Sequence, residues 1–308
     1  MAAGQHSVRF GIVGGPSGDW LALRDFVQRA EELGFDGYWH PDHPLLRQDC
    51  WTTLAAVAAA TRRLRLGSLV SCVYYRNPVL LARIVADVDP ISQGQAVLGI
   101  GAGDIEAEFR AMGLAYPPLR TRQQALAEAL EVISRLLHGE TVTYQGAYCQ
   151  VEGARLQPRP LQQPYIPLLI GGGGERHALR LVAQYADASS LVAVAASDVQ
   201  HKYTVLGEHC AALGRPPASV LHTYHFFPVV LAGSPAALEV TRERVPQAIL
   251  AMARPAASLA TPEEAVERLR PLVAAGCQYF TMAVSEPDTL RLLAERVVPM
   301  VVPEPYVY

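Results

Sequence analysis

The sequence predicts an α/β fold, a (β/α)8 TIM barrel, and three observations carry that expectation. Short apolar segments alternate with helical patterns along the whole chain. Eight of those segments read as strands, most are followed by a helix, and helical crossovers imply parallel strands. No linker divides the chain, and its 308 residues suit a single barrel domain over 1–308. A doubly wound open sheet is the alternative architecture. "GIGAG" follows a strand as that fold requires, but it lacks the dinucleotide-binding spacing and an acidic residue placed for a ribose.

The elements follow in order. "VRFGIVGG" (Val8–Gly15) is an apolar strand ending in glycine. Leu23, Val27 and Ala30 recur at i, i+4 and i+7, the period of a helix that stops at Gly34. "FDGYWHPDH" (Phe35–His43) is a second strand, stopped by Pro41. Trp51–Arg62 is an alanine-rich helix, "RLRLGSLVSCVYY" (Arg63–Tyr75) a third strand, and Pro78–Asp87 another helix. "QAVLGIGAG" (Gln95–Gly103) is the fourth strand, and Leu126, Leu130, Ile133 and Leu137 stripe a helix over Thr121–His138. Gly139–Pro164 is polar, aromatic and proline-rich, and no helical period fits it. It predicts an insertion with a short hairpin before the fifth strand, over about 139–165.

The rhythm resumes with "YIPLLI", four glycines (Gly171–Gly174) and a helix over Arg176–Ala186. "DASSLVAV" (Asp187–Val194) is the sixth strand, His201–Leu213 a helix, and "SVLHTYHFFPVVLA" (Ser219–Ala232) the seventh strand region. Thr261 is an N-cap, Pro262 the first helical residue and Glu264 the return arm of a capping box. Pro271 is expected to kink that helix. "CQYFTMAV" (Cys277–Val284) is the eighth strand, and Thr289–Val298 the last helix.

Composition narrows the function classes. Half the residues are hydrophobic, enough for a large core without a disulfide or metal staple. The net charge of −3 and the near absence of lysine leave no nucleic-acid footprint. Cys50, Cys72, Cys149, Cys210 and Cys277 stand alone, which reads as reduced cytoplasmic thiols. "MAAGQHSVRFGIV" lacks a signal-peptide pattern, and no apolar run approaches the roughly 20 residues of a membrane span. A cytoplasmic protein acting on a small molecule is expected, with no nucleic-acid or membrane partner.

In a barrel, function collects where strands end. The second strand ends in "HPDH", which brings His40, Asp42 and His43 to the mouth. A carboxylate beside an imidazole can fix its tautomer or raise its pKa, giving a proton donor near neutral pH. The plain alternative is that Asp42 and His43 cap the next segment. A metal is not expected, because no third ligand stands at a diagnostic spacing. The third strand ends in "SCVYYRNP": Tyr74, Tyr75 and Arg76 either line a pocket or pack and pair at the surface. Cys72 has no base partner in sequence and is not read as a nucleophile. The fourth ends in "GAGD". Ala102 and Gly103 admit a ligand close to the backbone, and Asp104 either binds it or caps the next helix. After the fifth, the glycines open a helix whose free N–H groups and dipole suit a phosphate. A turn needs one or two glycines, so four point to close approach by a bulky ligand. Glu175 favours the dipole, and Arg176 could reach an anion.

"AEELGFDGYWHPDH", "LRLGSLVSCVYYRNPVLLAR", "DPISQGQAVLGIGAG", "IGGGGERHALRLVAQYADA" and "TPEEAVERLRPLVAAGCQYF" together resemble the bacterial-luciferase-like superfamily. The likeness is to its actinobacterial-style coenzyme F-420 (deazaflavin) oxidoreductases and covers nearly the whole chain. It implies a TIM barrel with an insertion before the fifth strand, a homodimer, and F-420 or FMN as cofactor. It implies that His43 lies by the ring as proton donor, oriented by Asp42. A bulge with a non-prolyl cis peptide is implied near Leu69, Val70 and Ser71, supporting the ring. Ala102, Gly103 and Asp104 would contact the cofactor, and Gly172, Gly173, Gly174, Glu175 and Arg176 would hold its phosphate. His40, Trp51 and Tyr75 are assigned to the substrate pocket. Three departures stand out. "SQGQ" (Ser92–Gln95) lacks the arginine of "S-x-G-R", "GAGD" replaces a commoner aromatic or glutamate ending, and His40 stands where many relatives carry another residue.

The expected function is hydride transfer between reduced F-420 and a small organic substrate, by C=C or C=N reduction, with natural-product metabolism as one setting. The alternative is an FMN-dependent monooxygenase that uses oxygen. A non-catalytic flavin-binding barrel is the lesser alternative.

Overall fold

The computed structural model describes residues 8–192, 194–227, 229–244 and 259–302. Ala193 and Pro228, inside the predicted sixth and seventh strands, and residues 1–7 of the N-terminal reading lie outside the described residues.

The eight barrel strands are β1 (Arg9–Val13), β2 (Gly37–His40), β3 (Arg65–Ser68, resuming at Ser71–Cys72), β4 (Ala96–Gly101), β5 (Leu168–Gly171), β6 (Ala188–Val192), β7 (Leu221–Phe226) and β8 (Tyr279–Ala283). Their hydrogen-bonded order runs β3-β2-β1-β8-β7-β6-β5-β4, and β4 pairs back with β3. The sheet therefore closes into a parallel (β/α)8 barrel. β4 is buried at every position, the mark of a strand covered on both faces.

Local chemistry sets the helix ends. Asp19 caps Trp20–Glu32 by accepting from the Leu21 and Ala22 N–H groups. Asn77 caps Pro78–Ile91, which runs past the predicted end and carries Pro90 in its last turn. Thr261 and Glu264 form the expected capping box, and Pro262–Ala274 continues through Pro271. The last helical stretch is Pro287–Leu292, a π-helical turn Leu293–Val297, and Val298–Val301. A short helix, Glu106–Ala111, follows β4.

The break at Gly139–Pro164 holds an antiparallel hairpin, Val142–Gln145 with Gln150–Ala154. Its tip is tied to the helix Leu119–Leu137 by the Glu128 carboxylate. That group accepts from the N–H groups of Ala147, Tyr148 and Cys149 at 3.0, 2.7 and 2.9 Å. Further on, Gln162 donates from its backbone and side chain to the buried Asp89 at 2.8 and 2.6 Å.

Two compact units are distinguished. Among the described residues, one comprises 8–39, 190–192, 194–205, 221–227, 229–244 and 259–302. In it Phe10 stacks on Phe280 at 5.4 Å, and the Trp39 indole donates to the Tyr279 hydroxyl at 3.2 Å. The other comprises 40–189 and 206–220 and contains every candidate site residue named above. In it the Val70 side chain fills the space beside Gly99, Gly101 and Gly171, where an added methyl would crowd it at 3.2, 2.8 and 3.1 Å. Among the described residues, no helix is long and apolar enough to cross a membrane.

Candidate active site

The loop between β2 and the helix Cys50–Ala60 carries the chemistry. His40 closes β2 and is 1% exposed. Burial pushes its imidazole down to about 4, so it is neutral, and its carbonyl accepts from the Leu69 N–H at 2.9 Å. It serves the interior and offers no exposed face. His43, three residues on, keeps a 32% exposed side chain. Its Nδ1 lies 2.9 Å from Glu108 Oε2, and Glu108 is 4% exposed. The Tyr75 hydroxyl donates to the same oxygen at 3.1 Å. A carboxylate oxygen only accepts, so Nδ1 carries the hydrogen, which leaves Nε2 as acceptor or, when protonated, donor.

Asp42 does not orient His43. Its Oδ2 accepts from Arg76 Nη1 at 2.6 Å and from the Cys72 N–H at 3.3 Å, and its buried Oδ1 has no hydrogen-bond partner among the described residues. The two neighbours in sequence thus serve different partners, Asp42 the Arg76 guanidinium and His43 the Glu108 carboxylate. Burial pushes the Asp42 carboxyl up, and the Arg76 guanidinium opposes that shift. Arg76 also pairs with Asp49, whose carboxylate caps the helix Cys50–Ala60 through the Thr52 N–H at 2.9 Å. Arg76 thus ties both ends of the loop that carries His43, rather than pairing idly at the surface.

Between the two parts of β3, Leu69–Val70 is a non-prolyl cis peptide, where the resemblance implied one. Leu69 and Val70 are half-buried, whereas Ser68 and Ser71 on either side are buried. Trp51 was assigned to the substrate pocket, but it is 2% exposed and its indole donates to Ser71 Oγ at 3.0 Å. It supports the bulge from behind and does not line an opening.

At the end of β4, Gly103 has φ +79, and a methyl there would strike the Cys72 sulfur at 2.6 Å and Phe109 at 2.8 Å. Asp104 is exposed and is not the helix cap: Ile105 holds that position with no side-chain bond. Its carbonyl accepts from the Tyr116 hydroxyl at 3.0 Å. Burial pushes the Cys72 thiol up to about 12, which leaves it inert as a nucleophile.

Three of the four glycines separate by cause. Gly171 packs on Val70, and Gly172 has φ +119. Gly174 has neither constraint: a methyl there would meet Ala178 and Gln123 only at 3.9 Å. Its bare, exposed backbone is not demanded by the fold. The helix Ala178–Tyr185 starts without a side-chain cap, and Arg176 is exposed. The Glu175 carbonyl accepts from His209 Nε2 at 2.8 Å.

Sequence reading missed Glu108. A signal was present in "EAEFRA". Glu106 pairs with Arg110 at i, i+4, which marks the outer face. At 3.6 residues per turn, Glu108 lies on the opposite face beside the buried Phe109.

Residues 6–268 match the model of the luciferase-like monooxygenase family. The 5,10-methylenetetrahydromethanopterin reductase of Archaeoglobus fulgidus is 35% identical over 58% of this chain and 52% of that relative. An F-420-dependent glucose-6-phosphate dehydrogenase of Microbacterium testaceum is 35% identical over 54% of this chain and 50% of that relative. The match thus spans about half the length of these curated relatives. The solved structure of the coenzyme F-420-dependent tetrahydromethanopterin reductase of Methanopyrus kandleri superposes with a TM-score of 0.81 at 22% identity. It covers 95% of this chain and 99% of that one, a likeness of fold.

Proposed function

The chain belongs to the luciferase-like monooxygenase family, and from that premise we propose that it is a coenzyme F-420-dependent oxidoreductase. It transfers a hydride between the deazaflavin and a small organic substrate with a C=C or C=N bond. Relatives named as a reductase and an F-420-dependent dehydrogenase support the reading. The observation that carries it is the His43–Glu108 pair, an accessible imidazole on a buried carboxylate at 2.9 Å.

The residues fit such a cofactor. The bare backbone at Gly174, the uncapped helix start and the exposed Arg176 suit its phosphate, with Gly172, Gly173 and Glu175 completing the turn. Half-buried Leu69 and Val70, backed by Ser71, and the Ala102-Gly103-Asp104 turn suit the flat ring. When bound, the cofactor supplies a two-electron hydride donor or acceptor.

The rest falls to this chain's side chains. His43 holds a proton at Nε2 and gives it to the substrate atom that gains one as the hydride arrives. Glu108 stabilises the imidazolium from Nδ1 before that transfer. Tyr75 fixes the Glu108 oxygen by donating to it. In the oxidising direction neutral Nε2 takes the proton instead. Asp42 acts at one remove, holding the loop through Arg76.

Titrating the apo-protein separately with F-420 and FMN, followed by fluorescence, tests the cofactor. Affinity for FMN with none for F-420 sinks the proposal. Replacing His43 by Ala should cost about 10²–10⁴ in turnover with F-420 binding retained. The description of the family itself favours a second reading, an FMN-dependent monooxygenase using oxygen. Oxygen uptake driven by reduced FMN separates the two. A homodimer in the cytoplasm, serving natural-product metabolism, belongs to the same proposal.

A further inference from the structure

A cavity of about 420 Å³ opens at the end of β5 opposite the glycine turn. Leu168, the first residue of β5, and Asp187, just before β6, line it, whereas the glycines follow the last turn of β5 towards the catalytic face. A strand's length therefore separates it from the glycine turn. Its volume is that of a small-molecule pocket, about 300–1,000 Å³.

Two helices end at this cavity, Leu119–Leu137 and Ala178–Tyr185. Helix C-termini carry partial negative charge and by themselves repel an anion. Here that charge is answered. The His138 Nδ1 lies 2.7 Å from the Ser134 carbonyl, which only accepts, so Nδ1 donates. Arg215 Nη1 donates to the Ala183 and Val182 carbonyls at 3.1 and 3.5 Å. The Asp187 carboxylate also lines the cavity, and both of its oxygens are held. Oδ1 accepts from the Tyr165 hydroxyl at 2.8 Å and Oδ2 from the Leu168 N–H at 2.9 Å.

What the cavity leaves open is a pair of donors. Arg215 is half-buried, and its Nε donates to Ser219 Oγ at 2.8 Å. That hydroxyl accepts the bond, so its own proton is free to give. Among the described residues Arg215 Nη2 has no hydrogen-bond partner, and the guanidinium bonds a hydroxyl and two carbonyls but no carboxylate. A guanidinium without a counter-charge, next to a hydroxyl, is a donor set that a carboxylate matches. Aromatic surface lies in the same cavity. The His138 and Tyr165 rings sit 4.3 Å apart, and Tyr185 lines it with them. Such rings offer flat apolar area to a planar ligand.

We infer that this cavity is a second small-molecule site, which takes a planar aromatic molecule bearing a carboxylate. The carboxylate is held by Arg215 and Ser219, and the ring lies against His138 and Tyr165. The site stands independently of the cofactor reading.

The test titrates benzoate, indole-3-carboxylate and the corresponding amides into the protein by calorimetry. The wild type should bind at least one acid at least tenfold more tightly than its amide. In Arg215→Gln the affinity of that acid should fall to that of the amide, with the amide unchanged. An Arg215 that only caps the helix Ala178–Tyr185 would weaken acid and amide alike, so equal losses overturn the inference. Should Arg215→Gln fail to fold, His138→Ala decides, because it trims an exposed residue. It should weaken acid and amide together, and unchanged binding in it overturns the inference. His43→Ala should bind the acid as the wild type does. A loss there places the ligand at the catalytic face and overturns the inference, as does a wild type that binds neither acid at millimolar concentration.

Discussion

His43 and Glu108 stand 65 positions apart in sequence and meet at 2.9 Å, with Tyr75 donating to the same carboxylate oxygen. Replacing Glu108 with Gln keeps the shape and removes the charge that stabilises an imidazolium. The amide can also donate to Nδ1 and reverse the tautomer. Turnover should fall by about 10², while the dissociation constant for F-420 stays within a few-fold of the wild type. Parallel kinetics and fluorescence titration check this. Equal losses in binding and turnover would instead make Glu108 part of the cofactor pocket.

Arg76 should matter through the fold of the loop. Its partner Asp42 has a fully buried side chain, so Arg76→Met leaves a carboxylate without its counter-charge. Breaking such a pair costs about 3–5 kcal/mol. The double variant Arg76→Met with Asp42→Asn should recover much of that loss, because no unpaired charge then remains. Urea melts of the single and double variants form the cycle, and additive losses would mean that the pair is not coupled.

How much of this was legible in the sequence depended on how local each feature is. The capping box at Thr261 and Glu264 spans three residues, and chain chemistry alone specifies it. The hairpin after Gly139 showed as a broken period. Asp42 misled because neighbours in sequence were read as neighbours in space. Glu108 was hidden for the converse reason: its partner lies on another strand end, and only the barrel brings the two together. The cis peptide at Leu69–Val70 was expected from family likeness, since nothing in those two side chains announces it.

Acid should unfold the protein partly through its buried histidines. Burial lowers both His40 and His225 from the ordinary 6.5 to about 4. The folded chain favours the neutral ring, whereas the unfolded chain takes up a proton near 6.5. The stabilisation is therefore fully present above that pH and is lost as pH falls from 6.5 towards 4. For His40 alone the loss between pH 7 and pH 5 is about 2 kcal/mol. Urea melts at the two pH values measure it, and His40→Asn should remove His40's share of the difference while that of His225 remains. Wild-type stability that is the same at both values would contradict the assignment.

Gly99 and Gly174 should respond oppositely to the same methyl. At Gly99 the added carbon would fall into the Ser68 carbonyl, backbone that cannot step aside, and beside Val70 at 3.2 Å. Gly99→Ala should therefore cost about 3 kcal/mol or more. At Gly174 the methyl would meet Ala178 and Gln123 only at 3.9 Å, an ordinary contact. Gly174→Ala should leave stability within about 0.5 kcal/mol. Its effect should appear in F-420 binding, weakened about tenfold, which corresponds to about 1.4 kcal/mol. The contrast separates a glycine kept for packing from one kept so that a ligand can reach the backbone. Unchanged F-420 affinity in a stable Gly174→Ala would remove Gly174 from the phosphate cradle and leave Gly172 and Gly173 to form it.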